Sequence, residues 1–225
     1  MEEQVIAKFD MDSGSLCLDF VNTLDWHASD HPEEELASFA DLLTWGREAG
    51  LLTSREAGQL LRQSQEQPGE ARRWLAEAVR LREALYRVFV SIANAPHSDP
   101  IAAADVAVIS AFWQQAAQYR RLAADGAAFR WEWALQATDL GRVLWPVAQC
   151  AVDVLESDLR TRIGQCQDDR GCGFLFIDTS RNRSRRWCSM DSCGNRAKAA
   201  RHHAREKRET TKDTKVHEGR KFEGN

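Results

Sequence analysis

Four cysteines, Cys166, Cys172, Cys188 and Cys193, fall within 28 residues as C-x5-C-x15-C-x4-C, and this cluster limits what the end of the 225-residue chain can fold into. Charge tightens the limit. Residues 160–225 carry 17 Lys+Arg against 9 Asp+Glu, net +8, while residues 1–159 carry 13 against 25, net −12, which together make the overall −4. Seven of the eight tryptophans (Trp26, Trp45, Trp74, Trp113, Trp131, Trp133, Trp145) lie in the acidic part, which is where the large core is expected. The basic end is poor in core residues and needs a staple to fold.

The chain has no apolar run of 18 residues, and its start, MEEQVIAKFD, is neither a basic nor an apolar leader, so a cytoplasmic protein is expected. Clustered thiols in that setting point to metal before disulfide. Zinc takes four thiolates in a tetrahedron, and CQDDRGC and CSMDSC supply two short cysteine loops. Between them, GFLFIDTSRNRSRRWC reads as a hairpin: an apolar arm from Phe174 to Ile177, a polar turn from Thr179 to Ser184, and a return arm ending at Trp187 and Cys188. From about residue 194 the sequence GNRAKAARHHAREKR is helix-forming, which puts Cys193 at a helix start where the dipole favours a thiolate. Knuckle, β-hairpin and helix together make a treble-clef-like finger. Four thiolates close the coordination shell, so the expected Zn2+ is structural, one per chain, with no position left for a catalytic water. Residues 174–187 also lack the histidine that a treble-clef nuclease would need, and no enzyme is expected. Ordinary reduced cysteines, or two disulfides, are the alternatives.

Ahead of the finger the pattern is mainly helical. SLCLDFVNTLDW (residues 15–26) suits a strand or a buried helix start equally. A helix is expected from Glu33 through Trp45 with Gly50 as its stop, and a second from a cap at Thr53 or Ser54. A long amphipathic helix should follow Gln67-Pro68-Gly69, then another over 101–118. Asp125-Gly126 is a hairpin turn, and FRWEWAL alternates Phe129, Trp131, Trp133 and Leu135 against polar or small neighbours. A last helix over roughly 138–158 contains Pro146, which either kinks it or marks a later start. The predicted class is α+β: an α-rich domain over 1–158 with a small sheet, a zinc finger over 159–208, and a polar tail over 209–225 expected to be disordered.

The run Cys193-Gly194-Asn195-Arg196, behind DTSRNRSRRWC (Asp178 to Cys188), resembles the signature of the CGNR zinc-finger family. Upstream, LDFVNT (Leu18 to Thr23) and DLLTWGREAGLL (Asp41 to Leu52) resemble the ABATE domain that precedes that finger, so the likeness covers about residues 5–208. It implies a stress-linked bacterial transcription regulator whose finger binds DNA, with zinc at Cys166, Cys172, Cys188 and Cys193.

The candidate nucleic-acid contacts are Arg181, Arg183, Arg185, Arg186, Asn195, Arg196, Lys198, Arg201, Arg205 and Arg208. On a helix, Lys198, Arg201, Arg205 and Arg208 share one arc beside an Ala197/Ala200/Ala204 stripe, and phosphates would relieve their mutual repulsion. Arg196 has a second reading as a structural residue that packs across the hairpin or pairs with Asp178. Trp187 reads as finger core rather than a stacking platform, which favours duplex DNA over RNA. A zinc-stapled protein-interaction module and an RNA-binding protein are the alternatives. Asp19, Asn22 and Thr23 are candidate ligand-binding groups or, alternatively, local caps, and the acidic body is expected to sense a small molecule or form a homo-oligomer. Cys17 and Cys150 read as small buried hydrophobes. His27 and His31 lie in a stretch expected to be an exposed loop.

Overall fold

In the computed structural model, residues 7–134 and 138–203 are described. The element order is α1 (Leu16–Val21), β1 (Leu24–Asp25), β2 (Glu33–Glu34), α2 (Phe39–Glu48), α3 (Ser54–Glu66), α4 (Pro68–Ala93), α5 (Ala103–Ala117), β3 (Arg120–Asp125), β4 (Ala128–Trp133), α6 (Leu144–Glu156), a 3-10 turn (Asp158–Arg162), β5 (Ile163–Gln165) and β6 (Leu175–Ile177). A π-type turn (Met190–Gly194) then leads into a last helix, α7, over 195–203. The three sheets are antiparallel pairs, β1–β2, β3–β4 and β5–β6.

The ambiguous segment 15–26 is helix at its start, and α1 buries Cys17, Leu18, Phe20 and Val21. Around it, α4 contributes Leu81, Ala84, Leu85, Val88 and Phe89, and α6 contributes Val147, Ala148 and Ala151. Trp45 and Trp145 are fully buried in this core. The α3 start is a full capping box: Thr53 Oγ1 accepts from the Glu56 N–H, and the Glu56 carboxylate accepts from the Thr53 N–H.

Three expectations shift. First, α2 begins at Phe39 and not at Glu33, because Ser38 caps it by accepting from the Asp41 N–H while Glu33–Glu34 pair with Leu24–Asp25. Glu34 is held there by Arg82, whose two terminal nitrogens donate to its two carboxylate oxygens at 2.6 Å each. Second, α6 starts at Leu144: Asp139 accepts from the Gly141 N–H and from the Trp145 indole, which closes a turn where the helix was expected to run. Pro146 then sits in the first turn, where a missing N–H costs nothing. Third, the alternating apolar side of β4 is not core. Phe129 is 72% exposed and Trp131 59%, because among the described residues β3–β4 pairs with no further strand and packs on the body at its base, through Tyr119 and Trp133. Leu135 lies outside the described residues.

The finger is joined to the body through the same core. Ile163, Leu175 and Ile177 of β5–β6 belong to the main apolar cluster. Asn22, at the end of α1, donates from Nδ2 to the Leu175 carbonyl and accepts from the Leu175 N–H, both at 2.9 Å. The Ile177 N–H donates to the Ser13 carbonyl at 2.7 Å. Leu175 is fully buried, so Asn22→Ala strands two backbone groups without water, and a loss of about 2–4 kcal/mol is expected in urea unfolding of the zinc-loaded chain.

Glu35, just past β2, titrates far from its usual range. Burial, then the Asp25 carboxylate, push it up to about 7. A carboxyl raised on folding adds stability that is complete below its unfolded value and lost as pH rises through the folded one. Glu35→Gln is therefore expected to stabilise the protein at about pH 8 and to change little at about pH 4, read from urea midpoints at both.

Candidate zinc centre and basic surface

Strand β5 ends at Gln165, and the Cys166 N–H donates across to the Phe174 carbonyl, so the CQDDRGC loop is the turn of the β5–β6 hairpin. This moves the expected hairpin. Phe174 to Ile177 does form an arm, but its partner is Ile163–Gln165 upstream of Cys166; the return segment before Cys188 adds one backbone bond, from the Gln167 N–H to the Arg186 carbonyl. The loop is tight because Asp168 accepts from the Arg170 N–H while the Gly171 N–H reaches the Asp168 carbonyl. Gly171 and Gly173 have φ of +86° and +72°, and a Cβ on either would lie 2.7 Å from the backbone of Ala28. Glycine is required on both counts.

The second cysteine pair is set by the π-type turn. Ser189 caps it by accepting from the Asp191 N–H, and the Gly194 N–H donates to the Ser189 carbonyl. Cys193 thus lies in the turn that leads into α7, with Gly194 between them.

All four Sγ atoms lie within 4.8 Å of one another. Cys172 and Cys188 are 3.8 Å apart and Cys188 and Cys193 3.5 Å. Zinc–sulfur bonds of about 2.3 Å in a tetrahedron demand edges of about 3.8 Å, whereas a disulfide demands about 2.05 Å. The donor set fits one structural zinc. Phe176, Trp26, Phe174 and Trp187 surround the sulfurs and shield them from water.

Four thiolates around a dication leave a net negative charge, and Arg196 is placed against it. Its Nη2 donates to Cys193 Sγ at 2.8 Å and its Nε to Asp168 Oδ2 at 3.0 Å. The partner is Asp168 and not Asp178. Burial would raise the Asp168 carboxyl, but the Arg170 N–H and the Arg196 guanidinium outweigh it and hold the group down at about 2. Arg196 and Arg170 also lie over the Trp26 ring, 5.2 and 5.0 Å from its centre. Asp178 instead accepts from the Ser180 and Arg185 N–H groups, which shapes the turn after β6.

The ten expected contact residues divide by direction. Arg185 points inward: its guanidinium lies 4.2 Å from the Phe176 ring centre and donates to the Trp187 and Cys188 carbonyls. Arg196 is bound as above, and Asn195 donates to the Asp191 carbonyl. Arg181, Arg183, Arg186, Lys198 and Arg201 are exposed, with Arg186 tied to Gln167 and Arg201 to the Ala197 carbonyl of its own helix. Arg205 and Arg208 lie outside the described residues, as do Ala204 and the tail over 209–225. Ala197 is half-buried and Ala200 exposed, so the packed stripe is short.

Asp19, Asn22 and Thr23 are bonded within the fold: Asp19 accepts from the Ser13 N–H, Asn22 grips Leu175, and the Thr23 hydroxyl donates to the Phe20 carbonyl. His27 is not in an exposed loop. It stacks on Tyr86 at 3.4 Å and bonds Glu83 at 3.1 Å, beside the cysteine loop that touches Ala28. The supporting roles of Asp168 and Trp26 were not read from the sequence. The opposed charges of CQDDRGC and CGNR were the available signal for the first; nothing local marked Trp26, which lies 140 residues upstream of Cys166.

Purified protein is expected to hold one zinc per chain by elemental analysis. Arg196→Lys keeps the charge but cannot bridge sulfur and carboxylate together, so zinc affinity should fall roughly 10- to 100-fold in chelator competition.

A family model for the CGNR zinc finger matches residues 162–206. A second, for ABATE, described as "Putative stress-induced transcription regulator", matches residues 14–158. A search of curated proteins finds no match. Among the described residues no helix is long and apolar enough to cross a membrane. With nearly two thirds of its length matched, the chain belongs to the ABATE family, and it carries a CGNR zinc finger behind that region.

Proposed function

We propose that this protein is a DNA-binding transcription regulator in which the zinc-built finger engages the phosphates of duplex DNA and the ABATE region is the regulatory half, sensing a small molecule or assembling copies. The carrying observation is the division of the finger's cations. Arg185 and Arg196 are bonded inward and build the finger, whereas Arg181, Arg183, Arg186, Lys198 and Arg201 are exposed on the two segments that the zinc centre fixes, the turn before Cys188 and the helix after Cys193. A rigid pair of basic segments suits phosphate contact, which positions a protein on a duplex before any base is read.

Electrostatic binding of this kind is salt-dependent. With six to ten contacts, affinity for random duplex DNA should fall roughly 10³- to 10⁵-fold between 50 and 200 mM salt. Arg181→Ala and Lys198→Ala should each weaken binding to all sequences alike and lower the salt slope by about 1. A gel-shift series with full-length, zinc-loaded protein decides this. No shift at 50 mM salt, or slopes unchanged in both variants, would overturn the reading.

A further inference from the structure

Cys17 and Cys150 are 133 residues apart in sequence, yet the fold brings them to one hydroxyl. Ser15 Oγ lies 3.4 Å from Cys17 Sγ and 3.2 Å from Cys150 Sγ, and the Cys17 backbone N–H donates to Cys150 Sγ at 3.4 Å. Either atom can donate in each Ser15 contact; the arrangement that suits a charged sulfur directs the Ser15 O–H at Cys150 and the Cys17 thiol at Ser15. Cys150 Sγ then receives two donors and gives none, the surroundings of a thiolate.

The two sulfurs also differ in access. Cys17 is fully buried, whereas Cys150, on the side of α6, is half-buried. Burial and the neighbouring Cys150 push the Cys17 thiol up, while the bonds from Cys17 and Ser15 bring Cys150 down to about 6. Since Cys150 Sγ is 3.4 Å from the Cys17 nitrogen, it lies within about 5 Å of the Cys17 Cα, one N–Cα bond of about 1.46 Å further on. A disulfide needs Cα atoms about 4.4–6.8 Å apart, and the Cys150 sulfur already lies against the Cys17 backbone to which that bond would tie it.

We propose that Cys150 is a hydroperoxide-reactive thiolate and Cys17 its resolving thiol, so that a peroxide closes a Cys17–Cys150 bond between α1 and α6. The Cys150 thiolate attacks one peroxide oxygen, the O–O bond breaks, and hydroxide leaves, giving a sulfenic acid at Cys150. Cys17, deprotonated through Ser15 and that hydroxide, attacks the Cys150 sulfur; the S–O bond breaks and the second oxygen departs as hydroxide. Overall, one thiolate, one thiol and one hydrogen peroxide become one disulfide, one water and one hydroxide. The peroxide is reduced by two electrons taken from the two sulfurs. The inference stands independently of DNA binding.

The test treats full-length, zinc-loaded protein with hydrogen peroxide and maps its peptides without reductant, with zinc release followed in parallel. A linked pair containing Cys17 and Cys150, formed while zinc is retained, is the expected product. In Cys17→Ser, a sulfenic acid should be trapped at Cys150 by dimedone. Ser15→Ala leaves both sulfurs in place and should slow disulfide formation several-fold. Cys150 remaining reduced while zinc is lost and the finger cysteines oxidise would overturn the proposal. So would oxidation of Cys150 that never links to Cys17 in the unmodified chain.

Discussion

From Cys166 to Cys193 the chain depends on four sulfur atoms sharing one centre. Among the described residues there, the only regular pairing is the three-residue β5–β6 ladder, and the segment from Asp178 to Cys188 contains no strand. Such a chain has little backbone bonding to oppose its conformational entropy. Metal–thiolate bonds replace that missing cohesion and act across a span of 28 residues, which fixes both the basic turn and the start of α7. The surrounding groups follow from that charge: a guanidinium on one sulfur, a buried carboxylate on the guanidinium, and an aromatic ring beneath both cations.

The zinc centre is also where the loop after β1 meets the finger. Loop 25–32 lies against the cysteine loop closely enough that two glycines are needed there, and Trp26 adopts a left-handed φ of 53° with its ring among the sulfurs' neighbours. A bulky residue in that conformation is costly and persists only where its surroundings over-determine it. Here the ring is held by Arg170 and Arg196. The N-terminal region therefore contributes a wall of the metal site as well as a core.

What could be read from the sequence was what depends on spacing. The cysteine set, the helix cap at Thr53, the long α4 and the Asp125-Gly126 turn all follow from short-range chemistry. What escaped depends on contacts far along the chain. The partner of β6 could not be told from the apolar run at 174–177 alone, because two flanking segments were available and the body's core selected the upstream one. Alternation in β4 marked an apolar face correctly but not what covers it, and Phe129 and Trp131 face solvent. Cys17 and Cys150 each looked like ordinary buried residues; only the packing of α1 on α6 makes them a pair. For the cations, composition showed how many there are, and only the fold separates those that build the finger from those that face outward.

The embedding of β5–β6 has a practical consequence for anyone recombining these parts. Cutting the chain at residue 159 would expose Ile163, Leu175 and Ile177, and would leave Leu175 without its two bonds to Asn22. The finger is thus not a cassette that can be grafted behind an unrelated body. A chimera would have to bring along α1 and the loop through Ser29, segments separated from the first zinc cysteine by more than 130 residues of sequence.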